Sequence, residues 1–329
     1  MPLQSSTGAQ YARFMSVGGA RGSRVVTNDE LCTMIDSSDE WITQRTGIRE
    51  RRWVAEGEDA ETLGLEAARK AISRAGLQPT DIDAIIVSTI SHFRQTPSLA
   101  AILAKDLGLG APAAFDVSAA CAGFSYGVGL AEGMVRAGSA THVLVIGVEV
   151  LSKFTDMTDR STAFLFSDGA GAVVIGPSDT PAIGPTVWGS KPEDHSVIEV
   201  DDWRELEPGA DGPFIHMAGR EVFKWATTAI VEKALETLKV SGLTADELDC
   251  FIPHQANNRI TDSMLRHLKL PEDVVVARDI IQMGNSSAAS VPLAMEALLE
   301  SGQAKSGDSA LIIGFGAGLV FAGQTVILP

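Results

Sequence analysis

Apolar and polar positions along the chain form two similar series of short buried runs and amphipathic helices. The apolar run 84–89 has a counterpart at 250–252, which begins 166 positions later, and the run 143–147 has one at 310–314, 167 positions later. Self-similarity at a nearly constant spacing is the signature of an internal repeat. The pattern therefore predicts a duplicated fold, in which the second half of the chain repeats the first.

Helical periodicity predicts the segments that connect these runs. One helix should begin after Asp59 and stop at Gly76, because aspartate is a good N-cap and glycine a good C-terminal stop. Further helices are predicted over 121–136, 219–240 and 287–301. Strands that alternate with helices indicate an α/β fold with mostly parallel sheets.

The helix predicted over 121–136 contains interior glycines, and each costs about 1 kcal/mol of helix stability relative to alanine. Close packing against another backbone is the expected compensation, so this helix should lie buried in the middle of the molecule. We therefore expect helix layers between and around two sheets. The glycines are Gly123, Gly127, Gly129 and Gly133.

The repeat divides the chain into an N-terminal half, residues 1–177, and a C-terminal half, residues 178–329. The segment 177–213 is acidic, contains proline and glycine, and shows no clear periodicity. It is predicted to be a connector that runs over the surface.

Composition excludes several classes of function. The 329 residues carry a net charge of −16, which argues against nucleic acid as the main partner. The three cysteines have neither disulfide nor metal-ligand spacing, which favours the reducing cytoplasm. The apolar stretch 310–323 is interrupted by four glycines and is too short to span a bilayer, so no membrane association is predicted.

An acidic ligand would need a local basic patch on this acidic protein. Any one basic residue is more simply explained as part of a solvated charged face. The candidates for a patch are Arg45, Arg49, Arg51, Arg52, Arg220, Lys224, Arg259, Arg266 and Lys269.

Cys121 lies where a predicted helix begins, among the small residues Ala120, Ala122 and Gly123. The positive end of a helix dipole favours a thiolate, so the pKa of this cysteine is expected to be lowered. A buried structural cysteine is the alternative at this position, and it is the preferred reading of Cys32 and Cys250.

Two polar residues and a glycine-rich run complete the candidate chemistry. His254 follows a buried strand, where a side chain can face a cleft, although a satisfied, half-buried histidine would look the same. Asn285 precedes the helix 287–301 and alone indicates only a turn or cap. The run 314–318, Gly-Phe-Gly-Ala-Gly, can bring backbone N–H groups close to an oxyanion.

Taken together, these segments resemble the condensing enzymes of the thiolase superfamily, most closely the β-ketoacyl-acyl carrier protein synthase III family. The resemblance implies a thiolase-like, duplicated five-layer αβαβα architecture with mixed sheets and buried central helices. It covers essentially the whole chain, and its motifs lie at 38–42, 45–48, 119–124, 159–162, 166–172, 252–257, 284–290 and 314–318.

The resemblance also implies a mechanism. Cys121 would take the acyl group from an acyl-CoA, with the backbone N–H groups of Cys121 and Gly316 as an oxyanion hole. His254 and Asn285 would stabilise the enolate formed when malonyl-acyl carrier protein loses CO2. Attack of that carbanion on the acyl group would initiate fatty-acid synthesis. No metal or cofactor is expected besides acyl-CoA as substrate.

Substrate contacts follow from the same resemblance. Trp41, Arg45 and Arg160 would bind CoA. In a homodimer, the loop 92–97 of one subunit, with Phe93 and Thr96, would close the acyl pocket of the other. Thr96 stands where some relatives carry a bulkier aromatic residue, which predicts room for branched primers. The carrier protein would contact Lys224, Gln255, Ala256, Asn257, Asn258 and Arg259.

Other activities of the superfamily fit less well. A thiolase would need a second cysteine near the C-terminal glycines, and none follows Cys250. A hydroxymethylglutaryl-CoA synthase would need a glutamate near the reactive cysteine, and none is evident in the sequence. The main alternative is a member that primes a polyketide pathway or acts as an acyltransferase. A non-catalytic partner subunit is disfavoured because Cys121 is present.

Overall fold

The computed structural model describes residues 3, 5–207 and 209–329, and these form an α/β fold built on two five-stranded sheets. The strands are β1 (Tyr11–Arg21), β2 (Arg24–Thr27), β3 (Glu50–Trp53), β4 (Ala84–Ser88), β5 (Ala113–Val117), β6 (Val143–Val150), β7 (Asp168–Ser178), β8 (Val187–Ser190), β9 (Ile198–Val200), β10 (Ile215–Met217), β11 (Cys250–Pro253), β12 (Val275–Val276), β13 (Ser309–Gly316) and β14 (Val320–Ile327).

The helices connect these strands. They are α1 (Asn28–Leu31), α2 (Asp39–Thr46), α3 (Ala60–Arg74), α4 (Leu99–Leu107), α5 (Gly123–Ala137), α6 (Gly219–Thr227), α7 (Ala229–Val240), α8 (Asn258–Leu268), α9 (Ile280–Met283) and α10 (Ser290–Glu300). Short 3-10 turns precede the two central helices, Ala120–Ala122 before α5 and Ser287–Ala289 before α10.

The two large sheets have the same topology, which confirms the predicted duplication. The first has the order β1-β7-β6-β4-β5 and the second the order β8-β14-β13-β11-β12, read from the corresponding edge. In each, the three strands at one side are parallel and the other pairings are antiparallel. The sheets are therefore mixed, as expected.

Successive side chains along each strand point to opposite faces of the sheet and therefore pack in different layers. One face of the first sheet packs on α3 and α4 through residues such as Ile85 and Leu144. The opposite face, with Ile86 and Val145, joins α5, α10 and the inner face of the second sheet in one core. The outer face of the second sheet packs on α6, α7 and α8. This is the five-layer arrangement, and its central helices are buried.

Local signals mark the ends of α3 as the sequence predicts. The Asp59 side chain accepts from the Thr62 backbone N–H at 2.8 Å, and the Thr62 hydroxyl accepts from the Asp59 N–H at 2.8 Å. This capping box satisfies two N–H groups that the helix itself cannot pair. Gly76, just after the helix, has a left-handed φ of 70°.

Three of the four α5 glycines have close contacts, but with side chains rather than with the second backbone that the sequence suggested. A Cβ on Gly127 would lie 2.7 Å from Val145, and one on Gly129 would lie 2.8 Å from Thr186. A Cβ on Gly123 would overlap the Ser88 hydroxyl. Gly133 has open space around it, so packing does not explain that glycine.

Two predictions about the second half are wrong. The single helix predicted over 219–240 is broken at Thr228, and the hydroxyls of Thr227 and Thr228 bond to backbone carbonyls of the preceding turn. Such side-chain bonds compete with the helical ladder. The segment 177–213 is not only a connector, because it supplies β8, an edge strand of the second sheet, and β9. The division at 177/178 stays a prediction, and β7 ends at Ser178.

Glu296 links the two halves of the chain. This α10 residue is only 2% exposed, and its carboxylate accepts from the Gly19 backbone N–H at 2.6 Å. Arg21 and Arg74 each donate to it at 3.0 Å. A buried carboxylate satisfied in this way is costly to remove, because its partners would be left without an acceptor.

We expect Glu296→Ala to lower the free energy of unfolding by about 3 kcal/mol, since it breaks a buried ion-pair network. Urea unfolding followed by circular dichroism measures the change. Glu300→Ala is the matched control: its side chain also accepts from Arg74 but is 54% exposed, so it should cost less than about 1 kcal/mol. Equal losses for both variants would contradict the argument.

Candidate active site

Cys121 sits in a tight turn between β5 and α5. The turn begins at Ala120, which has a left-handed φ of 44°. Such a conformation costs an L-residue about 1–2 kcal/mol. The corresponding turn before α10 begins in the same way, at Ser287, with φ 47°. The two halves thus hold the same strained turn, with Ala120 before Cys121 in one and Ser287 before Ala288 in the other.

Glycines on the central strands allow both turns to approach the sheets. A Cβ on Gly316 would lie 2.8 Å from the Cys121 Cβ and 2.9 Å from its Sγ. A Cβ on Gly314 would lie 2.9 Å from the Ala122 Cα, and one on Gly147 only 2.3 Å from the Ala288 carbonyl oxygen. No side chain fits at these distances, so the glycines fix where the thiol lies. Gly314 and Gly316 belong to β13 rather than to a loop.

The electrostatics of Cys121 differ from the expectation. Burial raises the pKa of the thiol to about 12, and the nearby Glu149 carboxyl adds to the rise, while a hydrogen bond with the Ser287 side chain opposes it. The predicted lowering by the helix N-terminus is therefore wrong in the free protein. Removal of the thiol from water outweighs the helix dipole.

His254 follows β11, and its backbone N–H continues the sheet by donating to the Ile313 carbonyl at 2.8 Å. The side chain is 3% exposed, and burial lowers its pKa to about 3, so the imidazole is neutral at physiological pH. The Ser290 hydroxyl lies 2.7 Å from Nδ1 and accepts from the Gln255 backbone N–H at 3.3 Å. In the tautomer in which the hydroxyl donates to Nδ1, the proton of the neutral ring is on Nε2, which can then donate to a ligand.

Asn285 is oriented by its neighbours. Its backbone N–H donates to the Leu165 carbonyl at 2.9 Å, and its carbonyl accepts from the Ser167 N–H at 3.0 Å. Its side-chain Oδ1 accepts from the Ser287 backbone N–H at 2.9 Å. With the oxygen engaged, the amide NH2 is the group left to donate to a ligand.

One cavity of about 890 Å³ brings the predicted groups together. Cys121, His254, Asn285 and Gly316 line its inner part. Its wall also contains the residues predicted to bind CoA and part of the predicted carrier-protein contact, namely Trp41, Arg45, Arg160, Ala256, Asn257 and Arg259.

The residues expected to hold CoA also contact one another and their neighbours. The Arg45 guanidinium lies over the Trp41 ring, 5.4 Å from its centroid. Trp41 meets Phe164 edge to face, with ring centroids 5.3 Å apart. Arg160 forms an exposed ion pair with Asp36 at 3.2 Å. An aromatic face and two mobile cations fit recognition of an adenine and phosphates.

Most of the predicted carrier-protein residues lie at the surface beside the cavity. Arg259 and Lys224 are exposed, and the Arg259 guanidinium lies 5.7 Å from the centre of the Phe223 ring. Asn257 donates to the Arg45 carbonyl at 3.1 Å. Asn258, half-buried, accepts a hydrogen bond from Arg278.

Two predicted surface residues, one in the carrier-protein contact and one in the basic patch, are in fact buried. Gln255 is 2% exposed, and its amide donates to the Pro253 carbonyl at 2.7 Å, so it cannot meet a partner. Arg51 is completely buried, where it donates to Val26 and Asn28.

Phe93 and Thr96 do not line the cavity of their own chain. Both are exposed, and Phe93 stacks on Phe154 with a centroid distance of 4.6 Å. A role for them in the pocket of a second subunit stays a prediction.

Sequence reasoning missed Glu149. It rejected a glutamate near the cysteine, yet Glu149 on β6 is fully buried and close enough to perturb the Cys121 pKa. The signal was present: Glu149 is the one charged residue in an otherwise apolar strand, all of which is buried. Charged residues are almost never fully buried without a function or a partner.

In the part of the chain that the structure describes, no helix is both long and apolar enough to cross a bilayer. Within the ranges 5–207 and 209–329, together with residue 3, no three His, Cys, Asp or Glu side chains cluster as a metal site would require.

Comparisons with known proteins agree on one family. Residues 115–192 match the model of 3-oxoacyl-[acyl-carrier-protein (ACP)] synthase III, and residues 238–328 match its C-terminal model. The chain is 53% identical to the β-ketoacyl-[acyl-carrier-protein] synthase III of Streptomyces glaucescens, over 99% of both chains.

Solved structures are similar along the whole chain. The priming β-ketosynthase from the R1128 polyketide biosynthetic pathway superposes with a TM-score of 0.97 at 44% identity, covering 100% of this chain and 99% of its own. The 3-oxoacyl-[acyl-carrier-protein] synthase III of Aquifex aeolicus superposes with a TM-score of 0.90 at 36% identity, covering 96% and 99%.

We expect Gly316→Ala to slow acyl transfer from acetyl-CoA to Cys121 by more than 10-fold. The new methyl group would displace the sulfur, and a displacement of about 1 Å can cost about 10²-fold. Rapid quenching followed by intact-protein mass measures the rate. Gly133→Ala, in open space on α5, is the control and should leave the rate unchanged. A Gly316→Ala rate equal to that of the control would refute the packing argument.

Proposed function

The chain belongs to the 3-oxoacyl-[acyl-carrier-protein] synthase III family, and on that premise we propose how its residues carry the family's reaction. The enzyme is an acyltransferase that condenses an acyl-CoA primer with malonyl-acyl carrier protein and releases CO2. The product is a 3-oxoacyl-acyl carrier protein, and the reaction initiates fatty-acid synthesis.

In the first half-reaction, Cys121 attacks the thioester carbonyl of the acyl-CoA. The acyl group moves to the sulfur, and CoA departs through the open side of the cavity. The backbone N–H groups of Cys121 and Gly316 stabilise the oxyanion that forms on the carbonyl oxygen. The proximity of Gly316 to the Cys121 side chain supports this assignment.

In the second half-reaction, malonyl-acyl carrier protein brings its thioester to His254 and Asn285. Both residues donate hydrogen bonds to the thioester carbonyl, through Nε2–H and the side-chain amide. Loss of CO2 then leaves an enolate, whose charge those donors stabilise. The carbanion attacks the acyl-Cys121 carbonyl and releases the cysteine.

One observation supports this scheme most strongly. Cys121, His254 and Asn285 line the same cavity, and the side-chain oxygen of Asn285 is already engaged by the Ser287 backbone N–H. The buried imidazole is neutral, with Nδ1 bonded to Ser290. Neutral donors suit a site that must bind an enolate without protonating it, because a charged imidazolium would give up its proton more readily.

The proposal also covers the binding partners, the cellular compartment and the oligomeric state. Trp41, Arg45 and Arg160 bind CoA, and Lys224 and Arg259 attract the acidic carrier protein to the cavity mouth. Ala256, Asn257 and Asn258 lie beside that contact. The protein acts in the cytoplasm as a homodimer, in which Phe93 and Thr96 complete the partner's acyl pocket. No cofactor takes part besides acyl-CoA as substrate.

A second candidate function has specific support. The R1128 structure, which matches at a TM-score of 0.97, is that of a priming ketosynthase from a polyketide pathway. The same residues would serve such a pathway, with a different carrier protein as partner. The choice of carrier protein, rather than the chemistry, separates the two.

The test is to mix the protein with malonyl-acyl carrier protein and acyl-CoA and to weigh the intact carrier. We expect a 3-oxoacyl-carrier product with the wild type and none with Cys121→Ala. Asn285→Ala should still become acylated at Cys121 but should yield at least about 10²-fold less product, because it loses an enolate donor. Acylated wild type without condensed product would overturn the condensing role in favour of simple acyl transfer.

Primer choice is a separate prediction. Because Thr96 is small, we expect isobutyryl-CoA to be turned over as well as acetyl-CoA. Steady-state kcat/KM values for the two primers measure this, and Thr96→Phe should lower the isobutyryl value more than the acetyl value. Undetectable isobutyryl turnover by the wild type would contradict the prediction.

A further inference from the structure

Glu149 is a buried carboxyl that the proposed mechanism does not use. It lies on β6, is 0% exposed, and accepts hydrogen bonds from four groups. The Ser91 hydroxyl donates at 2.7 Å and the Ile90 backbone N–H at 3.1 Å, while the hydroxyls of Thr89 and Ser287 donate at 3.4 and 3.3 Å. All four donors are neutral.

A comparison with Glu296 shows how unusual this setting is. Both glutamates are buried, but Glu296 is neutralised by Arg21 and Arg74. Among the described residues, Glu149 has no ion-pair partner. Burial raises its pKa to about 7, whereas its hydrogen bonds act in the opposite direction. Glu149 can therefore gain or lose a proton near neutral pH, as a purely structural ion pair would not.

Ser287 connects this carboxyl to the nucleophile. Its hydroxyl donates to a Glu149 oxygen at 3.3 Å, and its turn packs directly against the turn Ala120–Ala122, which holds the Cys121 thiol. The backbone of Ser287 is held in a left-handed conformation, and its N–H is tied to Asn285. The backbone therefore fixes the hydroxyl beside the carboxyl, next to the turn that carries the thiol.

The Cys121 thiol needs a group that can accept its proton. A thiol attacks a thioester only as its proton leaves, and burial raises the pKa of Cys121 to about 12. His254 is a poor acceptor because burial lowers its pKa to about 3. Asn285 has no basic group. Glu149 is a buried carboxyl bonded to Ser287, whose turn packs against the turn that holds the thiol.

We propose that Glu149 is the general base of the acylation step, acting on Cys121 through the Ser287 hydroxyl. This inference rests on the proposed role of Cys121 as nucleophile. As the sulfur bonds to the acyl carbon, the thiol proton passes to the Ser287 oxygen, and the hydroxyl proton passes to the carboxylate. The carbon–sulfur bond of acyl-CoA breaks, and the CoA thiolate leaves and takes a proton from water.

The proton held by Glu149 is then used in the second half-reaction. When the carbanion attacks the acyl carbonyl, the bond to Cys121 breaks and a thiolate is expelled. Protonated Glu149 returns its proton through Ser287 and restores the thiol and the carboxylate. During condensation the carboxyl is neutral, so no negative charge lies beside the developing oxyanion. The cycle as a whole consumes one proton, which CoA takes from water.

Other charged groups around Glu149 do not explain this behaviour. The buried side chains of α3 and α5, which pack on β6, are not titratable. On the neighbouring strand β7, Asp168 is paired with Val150 and is engaged by Ser152 and Val54. Facing Glu149 from the nucleophile turn is Cys121, and the turn before α10 contributes Ser287.

The test is the pH dependence of Cys121 acylation by acetyl-CoA, measured by rapid quenching and intact mass between pH 5.5 and 9 (a range chosen around the pKa of about 7). For the wild type, the rate should fall as the pH drops below about 7, because the base becomes protonated. Glu149→Gln should lose this inflection and be acylated about 10²-fold more slowly at neutral pH.

A merely electrostatic role predicts the opposite result. The Glu149 charge raises the Cys121 pKa, so its removal alone would make the thiol more acidic and the reaction faster. Acylation of Glu149→Gln at the wild-type rate or above, or an unchanged inflection, would therefore overturn the proposal. Circular dichroism checks that the variant is folded.

Two serine variants complete the experiment. Ser287→Ala removes the connection but keeps the carboxyl, so it should match Glu149→Gln; if Glu149→Gln does not fold, Ser287→Ala decides. Alanine is tolerated in this conformation, since Ala120 holds it in the equivalent turn. Ser91→Ala keeps the connection and removes a bond that favours the carboxylate, so its inflection should persist and move to higher pH.

Decarboxylation separates this proposal from the proposed function. Malonyl-carrier decarboxylation depends on His254 and Asn285, so Glu149→Gln should retain it while acylation is slow. A wild-type protein that is acylated but neither decarboxylates nor condenses malonyl-carrier protein would refute the proposed function. The pH dependence of acylation would still test the role of Glu149.

Discussion

The close approach of two backbone turns to two central strands is the constraint on which the site depends. The turn that carries Cys121 belongs to the first half but presses on Gly314 and Gly316 of β13, in the second half. The turn that begins at Ser287 presses in the same way on Gly147 of β6, in the first half. Each half therefore shapes the reactive turn of the other, and the helices α5 and α10 follow from those turns into the shared core.

Exclusion of water by this packing sets the chemical character of the site. It raises the pKa of Cys121, lowers that of His254 and raises that of Glu149, in each case because the charged form loses its hydration. The resting site thus favours neutral groups at the cysteine and the histidine. In the proposed mechanism, charge develops there on the reacting atoms, where the proposed N–H donors would stabilise it.

Much of this arrangement could be predicted from the sequence, because it is carried by local pattern. The repeat, the capped helix α3 and the residues Cys121, His254 and Asn285 have signals within short windows. The predictions that failed concern residues whose environment is set by tertiary packing. The pKa of Cys121 depends on surroundings contributed by distant segments, and Gln255 turns inward to the Pro253 and Ala277 carbonyls. The break at Thr228 reflects hydroxyl–carbonyl bonds that periodicity does not encode.

The crossed contacts between turns and strands also bear on how the molecule unfolds. A chain made of two copies of one motif could melt in two steps, one for each copy. Here each turn packs on a central strand of the other half, and Glu296 of α10 ties β1 and α3 to the second half. Loss of either copy would remove the support of the other. The two halves should consequently unfold together in one cooperative transition, despite the internal symmetry of the fold.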